Sequence, residues 1–227
     1  LELKFDKKKH RYYLDTKELT SVTNFVKKFF KPFDVKKIAK YVAKNRRNKG
    51  EKITATQVKK EWKGIAQAGT DIHQEIEDWI MCQTHPLNNK AIQGMIWFED
   101  IPEFDHVKCE EIVWSEELGL AGTIDCMIVH GDNSVTLVDW KTNKAIKKGG
   151  YNFGTLPPTA DIKDGNLNQY TLQLSCYAYI LEKEYGYKIR DLVLVHLKDD
   201  RTIPYEVEYK KDTIKEMIKW QKEHKLE

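Results

Sequence analysis

The 227 residues include only four cysteines, Cys82, Cys109, Cys126 and Cys176, and none stands in a C-x-x-C pair. That scatter gives neither the spacing of a zinc site nor a disulfide framework, and leaves reduced, partly buried thiols as the expectation. No apolar run approaches the roughly 18 residues that a membrane span needs, and the chain begins with charged residues where a signal peptide would carry an apolar core. A soluble, intracellular protein without membrane contact is therefore expected. Internal repeats are missing. So are a Walker A loop, a G-x-S-x-G elbow and a dinucleotide fingerprint, which leaves the enzyme classes built on those motifs with little support.

What is present suits one domain rather than a fragment. A hydrophobic content of 41% over this length supplies a core of ordinary size with room for a small accessory lobe. The net charge of +3 is unevenly spread: residues 27–63 hold fourteen Lys or Arg against three acids, +11, leaving −8 for the remainder. Nucleic acid is the partner that such a concentration most often signals, the alternative being a solvated lysine-rich helix face. Lys36, Lys37, Lys40, Lys44, Arg46 and Arg47 are the candidates for backbone contact.

Alternation over Leu3–Leu14 predicts a hairpin turning at Asp6–Lys9. Thr20 or Ser21 can cap a helix with Val22, Phe25, Val26, Phe29 and Phe30 on one face, ended by Pro32. Val35–Lys49 reads as a basic helix with Ile38, Tyr41 and Val42 inward, stopped by Gly50. Another helix starts at Thr54 or Thr56 and runs through Trp62, with an interruption expected around Gly64 and Gly69 before Ile72–Met81. In that last stretch Ile72, Ile76 and Ile80 form a stripe, and His73 and Glu77, four apart, share a face. Taken alone, His73 reads as a surface or capping histidine near a helix start; were it a metal ligand, Glu77 could partner the metal or a water, or orient His73. Ala91–Phe98 reads as a helix. Strands are expected at Val107–Ser115, Leu120–His130 and Ser134–Thr142, the last two joined by a turn at Gly131–Ser134. Asn168–Tyr185 follows as an amphipathic helix with Leu172, Cys176, Ile180 and Leu181 inward, then a strand at Leu192–Leu197, a strand at Ile203–Glu208 and a helix at Thr213–Lys222. Leu226–Glu227 reads as a cloning scar. The long connection Asn143–Gly165 is of the length that is usually functional or disordered. It follows Lys141 directly, so it is expected to overhang a site there, with Lys144, Lys147 and Lys148 near a strand of DNA and Tyr151 or Phe153 stacking on bases or anchoring the loop.

The chemistry centres on the second and third strands. Residues two apart in a strand point to the same face, so Asp139 and Lys141 project together and Trp140 points away. Asp139 follows Val135, Leu137 and Val138, a context in which an unpaired carboxylate is costly to bury. Asp125 holds the corresponding place on the neighbouring strand. Two carboxylates so placed can share a hard divalent cation, Mg2+ or Mn2+. An ordinary Asp139–Lys141 ion pair is the simpler alternative. In the preceding strand Glu110 or Glu111 could reach the same ion, or both could face solvent.

Gly122 and Asp125 in G-x-x-D spacing, Asp139–Thr142 as D-W-K-T, and Gln173 and Tyr177 as Q-x-x-x-Y resemble the RecB-like branch of the PD-(D/E)XK nuclease superfamily. Gly69 and His73 match that branch's upstream G-x-x-x-H. Four motifs thus fall in family order from Gly69 to Tyr177, and the segments around Ser21–Thr23, Asp125 and Asp139 are most similar to phage-type and mitochondrial genome maintenance exonucleases. The resemblance implies an α/β (α+β) restriction-endonuclease-like fold, an α-β-β-β-α-β core over 65–227 beside a hairpin and basic helical lobe over 1–64. It implies metal ligation by His73, Asp125, Asp139 and the Trp140 carbonyl, water orientation by Lys141, and roles for Gln173 and Tyr177 in binding phosphate or positioning Lys141. No iron–sulfur cluster is implied, because the cluster-bearing relatives carry grouped C-terminal cysteines that this chain lacks.

Function follows as that of a Mg2+- or Mn2+-dependent DNA exonuclease, acting from free ends or on single strands in replication, recombination or repair, with a helicase or single-strand-binding protein as a candidate companion and a viral or mobile-element origin suggested by the phage-type likeness. A structure-specific or restriction-like endonuclease and an inactive DNA-binding module on the same fold are the alternatives.

Overall fold

The computed structural model describes residues 2–7, 9 and 11–224. The Leu226–Glu227 pair and part of the first turn lie outside the described residues. The opening hairpin forms as expected from β1 (Leu3–Asp6) and β2 (Arg11–Leu14), with Phe5 stacked on Tyr12 at 4.7 Å. A strand that the sequence pattern did not reveal, β3 (Lys17–Ser21), follows and pairs with β2. Ser21 caps α1 (Val22–Lys27) by accepting a hydrogen bond from Asn24 N. This helix is shorter than expected: Phe29 N and Phe30 N donate to carbonyls three residues back, tightening the last turn while both rings stay buried.

Two helices make the basic lobe. In α2 (Val35–Arg47) the inward residues are Ala39 and Ala43, with Val42 partly buried, whereas Tyr41 lies 64% exposed, opposite to the expectation. Small side chains at the contact let α2 pack against α3 (Ala55–Cys82). The expected break in α3 does not occur; it runs for 28 residues through Gly64 and Gly69. A capping box starts it, Gln57 N donating to Thr54 Oγ1 at 3.2 Å and Thr54 N to Gln57 Oε1 at 2.8 Å. Each interior glycine costs about 1 kcal/mol against alanine, which tertiary packing offsets. The proposed division between 64 and 65 thus falls within one helix.

The helix α4 (Asn89–Glu99) precedes an antiparallel meander of β4 (His106–Ser115), β5 (Leu120–Val129) and β6 (Ser134–Lys141). After the long connection come α5 (Asn166–Ile180), a π turn at Leu181–Tyr185, β7 (Lys188–Leu197) parallel to β6, β8 (Thr202–Glu206) and α6 (Lys211–His224). The order α-β-β-β-α-β is that of a restriction-endonuclease-like core. One mixed sheet of eight strands runs through the described residues. Its β6 and β7 alternate as strands buried on both faces should: Leu137, Leu192 and Leu194 face α1, α5 and α6, while Val138, Trp140, Val193 and Val195 face α3 and α4.

The helix α5 departs from the amphipathic expectation. From Thr171 to Leu181 most positions are buried, Leu174, Ser175 and Tyr177 as well as Leu172 and Cys176. It crosses the sheet so closely that a Cβ on Gly122 of β5 would stand 2.5 Å from Tyr177 Cε1. The long connection is also more firmly built than expected. Thr155 N and Thr159 Oγ1 both donate to Phe29 O, and Asn166 and Asn168 clasp Lys147, Ala145, Lys148 and Lys163.

The Gly122–Tyr177 contact yields a stability prediction. Gly122→Ala is expected to cost about 1–3 kcal/mol in urea denaturation through overpacking. Combining it with Tyr177→Leu should cost less than the sum of the two single changes, since the second change opens the space that the first one fills.

Candidate active site

The strand β5 is paired with β4 along its length, but its other edge meets two different strands. β3 joins it at Leu120 and Ala121, and β6 joins it from Cys126 to Val129. Among the described residues, positions 122–125 have no ladder partner on that edge, and the gap opens into a cleft of about 680 Å3. At the same place the side-chain alternation of β5 inverts: Leu120 and Ile124 point to the α1/α5 face, and so do Met127 and Val129. β4 inverts opposite it, at Glu110, whose φ is +49°. The two inversions leave the ladder register intact, Cys109 facing Cys126 and Glu111 facing Ile124, and release Glu110 and Asp125 into the cleft.

His73 reaches the same point from α3. Its Nδ1 stands 3.5 Å from Asp125 Oδ2, and ligand atoms of His73, Glu110 and Asp125 all lie within 4.8 Å of one another. Asp125 Oδ2 also accepts a hydrogen bond from Trp140 N at 3.0 Å, standing in for the next rung between β5 and β6. The N–H and carbonyl of a strand residue point the same way, so the Trp140 carbonyl faces this side as well. Glu77, one turn after His73, lines the cleft and accepts from Gln74 at 2.9 Å. Gly69 is where α3 approaches the end of β6, a Cβ there standing 3.0 Å from Thr142 Oγ1.

Asp139 does not join the cluster of His73, Glu110 and Asp125. Only 3% exposed, it holds Lys141 Nζ at 2.5 Å. Burial raises the Asp139 carboxyl above its ordinary value, with Lys141 pulling against that rise. Burial by itself would lower the Lys141 ammonium, but Asp139 and Asp125 outweigh it and hold Lys141 above its ordinary value. The same ammonium sits 4.3 Å over the ring of Tyr170, which in turn donates to Asn143 Oδ1. Lys141 is thus positioned by Asp139 and Tyr170. Gln173 instead donates to Tyr177 OH at 3.3 Å, and both line the cleft. Glu110 is pushed up to about 7, first by partial withdrawal of its carboxyl from water and then by the charges of Asp125 and Glu77, although much of its surface remains open.

Of the sequence candidates, His73, Asp125, Asp139, Trp140, Lys141, Gln173 and Tyr177 come together at this site. The basic candidates do not line it. Lys36, Lys37, Lys40 and Lys44 are exposed along α2, Arg46 is tied to Glu51 and Glu61 at 2.6 Å each, and Arg47 donates to Ile53 O. Lys144, Lys147 and Tyr151 are exposed on a connection that runs back towards Phe29 and α5, so it does not roof the cleft as expected. Glu110 could have been separated from Glu111 by counting back through the turn after Ser115, which sets Glu110 opposite Asp125; Glu111 pairs with Lys108 instead. Tyr170 had no signal.

The model for the PD-(D/E)XK nuclease superfamily matches residues 26–226, nearly the whole chain. The chain belongs to the PD-(D/E)XK nuclease superfamily. No curated protein matched it. Among solved structures, SSO0001 is similar at 16% identity over 88% of this chain and 73% of that one, with a TM-score of 0.41. A protein from Eubacterium rectale described as a candidate exonuclease is similar at 12% identity over 91% and 78%, also at 0.41. Membership makes the chain a nuclease acting on nucleic acid, in a superfamily that generally uses divalent metals, and the cluster of His73, Glu110 and Asp125 offers such an ion an imidazole and two carboxylates. No helix of the described residues is long and apolar enough to cross a membrane.

Removing one member of the buried pair should leave the other uncompensated. Asp139→Leu and Lys141→Met are each expected to cost about 3–5 kcal/mol in urea denaturation, and the double variant much less than their sum. The raised Glu110 gives a second expectation. A carboxyl that holds its proton more tightly when folded makes stability fall as pH rises from about 4.5 to about 7. In EDTA the melting temperature should fall over that window, less so in Glu110→Gln, and added Mg2+ should raise it more at pH 8 than at pH 6.

Proposed function

We propose that this nuclease is a metal-dependent DNA exonuclease of the RecB-like kind, working inside the cell on free ends or single strands during replication, recombination or repair, in company with a helicase or single-strand-binding protein. The convergence of His73, Glu110 and Asp125 within 4.8 Å, beside the Asp139–Lys141 pair, is the observation that supports it. In this reading His73, Glu110 and Asp125 hold Mg2+ or Mn2+, with the Trp140 carbonyl as a further oxygen on the same side and Asp139, held by Lys141, as a ligand that joins them when the ion is bound. Such an ion supplies a water that is nucleophilic near neutral pH and positive charge for the phosphate oxygens.

The chain's own residues do the rest. Asp125 is oriented by Trp140 N–H, so one of its oxygens is fixed by the backbone. Lys141, fixed between Asp139 and Tyr170, orients water and counters charge developing on the phosphate. It stays protonated while both carboxylates are ionised, and becomes able to take a proton only as their charge is neutralised. Gln173 and Tyr177, on the wall formed by α5, contact the phosphate or hold the edge of β5.

The test uses end-labelled linear and circular DNA, single- and double-stranded, with Mg2+, Mn2+ or EDTA. Linear substrate should be lost only with metal, and Asp125→Ala and Lys141→Ala should slow the loss by roughly 100-fold or more. Cutting of circles would make the protein an endonuclease. Binding without cleavage under every metal condition would leave a DNA-binding module on a nuclease fold.

A further inference from the structure

One ridge of α3 carries Trp62, Ala66, Gly69 and His73 at alternating spacings of four and three residues, so these positions lie in line on one side of the helix. His73 belongs to the candidate metal group. The residues before it line a second cavity of about 460 Å3, walled by Phe33, Trp62, Ile65, Ala66 and Gly69 and closed by Thr142 and Asn143, the two residues that follow Lys141. Apolar side chains make up most of its walls. Phe33 and Ile65 are 63% and 65% exposed, and lining one groove they form an exposed apolar patch. Trp62 is packed from behind by the Ala39, Ala43 and Val58 cluster, and the centroid of its ring lies 5.9 Å from that of Phe33 at an interplanar angle of 59°.

The charge around this cavity says what it can hold. Phe33 and Trp62 both fall within residues 27–63, which carry fourteen basic residues against three acids. Lys31, Lys36 and Lys37, on either side of Phe33, are exposed. An open apolar slot, floored by the Phe33–Trp62 pair and flanked in the chain by Lys31, Lys36 and Lys37, fits a ligand with a π face and a polyanionic backbone. Along α3 the eight steps from Ile65 to His73 rise about 12 Å. That is the length of about four stacked nucleotides at about 3.4 Å each.

We infer that the Phe33–Trp62–Ile65 cavity is a base-stacking site for single-stranded DNA, holding an unpaired base a few nucleotides from the phosphate at His73. This rests on the nuclease reading above and names its substrate: a strand whose bases are free of a partner, since a base within a duplex cannot leave its stack to lie on the Phe33–Trp62 pair. Phosphates of the same strand run along α2, and the base in the slot fixes the register of the strand at the metal group. Stacking on an aromatic platform accepts any base, so the grip is independent of sequence.

Binding without cleavage tests the slot apart from the chemistry. The full chain in EDTA is titrated with a fluorescein-labelled dT12 strand, and with a wholly abasic strand of equal length and charge, using the wild type, Phe33→Ala, Phe33→Trp and, as an exposed aromatic elsewhere on the lobe, Tyr41→Ala. Phe33→Ala should weaken dT12 binding about 5- to 150-fold, the range of one lost base stack, and leave the abasic strand unchanged. Phe33→Trp should restore dT12 binding, and Tyr41→Ala should leave both strands alone. Equal loss on both strands, or no loss on either, overturns the stacking site. So does a Phe33→Ala change in sedimentation with DNA binding intact, which assigns the groove to a second copy of the chain. Metal-dependent cleavage with no effect of Phe33→Ala on binding keeps the nuclease and removes the slot. Base-dependent binding that needs Phe33, without cleavage in any metal, keeps the slot and removes the exonuclease.

Discussion

A strand alternates its side chains between two faces, and β4 and β5 abandon that alternation together. The inversion at Glu110 and Asp125 keeps every rung before and after it in register, yet turns two carboxylates out of the apolar layers and into the cleft. Much of the surrounding structure serves this one irregularity. Trp140 N–H fixes Asp125 where the β5–β6 ladder stops, Gly122 lets Tyr177 lie flat beneath the strand, and Gly69 brings α3 close enough for His73 to face both acids. Had the alternation continued past Ile124, Cys126 would take the α5 side and Met127 the α3 side, each away from the layer it now packs in.

The second requirement is that a buried charge be matched. Asp139 and Lys141 leave water together and meet each other, and Tyr170 covers the ammonium from above. In an interior of low dielectric the pair holds its geometry because neither member has another solvent to turn to. The consequence is a division of labour: one set of groups, facing the open cleft, is free to take a ligand, while the other is committed to itself until charge nearby changes.

Much of this arrangement was legible from residue spacing. G-x-x-D and Q-x-x-x-Y look like separate motifs in the chain, but Gly122 and Tyr177 meet in the fold as packing partners. Likewise Gly69 and Thr142 are two sides of one contact. What escaped the sequence depended on tertiary partners. β3 is five residues with two charges at its start, and it becomes a strand because β2 and β5 both accept it. The continuity of α3 is decided by packing that outweighs two glycines. Arg46 looks like any other base in a basic segment until Glu51 and Glu61 fold against it, and Tyr41 turned outward because alanines fit the α2–α3 contact better.

The cleft is closed on one side by the N-terminal hairpin, where Tyr12 OH meets Thr123 Oγ1, a pairing of residues 111 apart in the chain. β3 docks on β5 over a similar separation, in parallel, the kind of non-local contact that forms late because a long loop must close first. During synthesis the docking of β3 must therefore wait until β5 has left the ribosome, although β1, β2 and β3 can pair among themselves, and Gln173 and Tyr177 arrive later still. An incomplete chain has the acids and the lysine but no cleft to hold them. The cleft is therefore a product of long-range closure: its walls come from the hairpin, α3, the meander and α5, and none of them makes it alone.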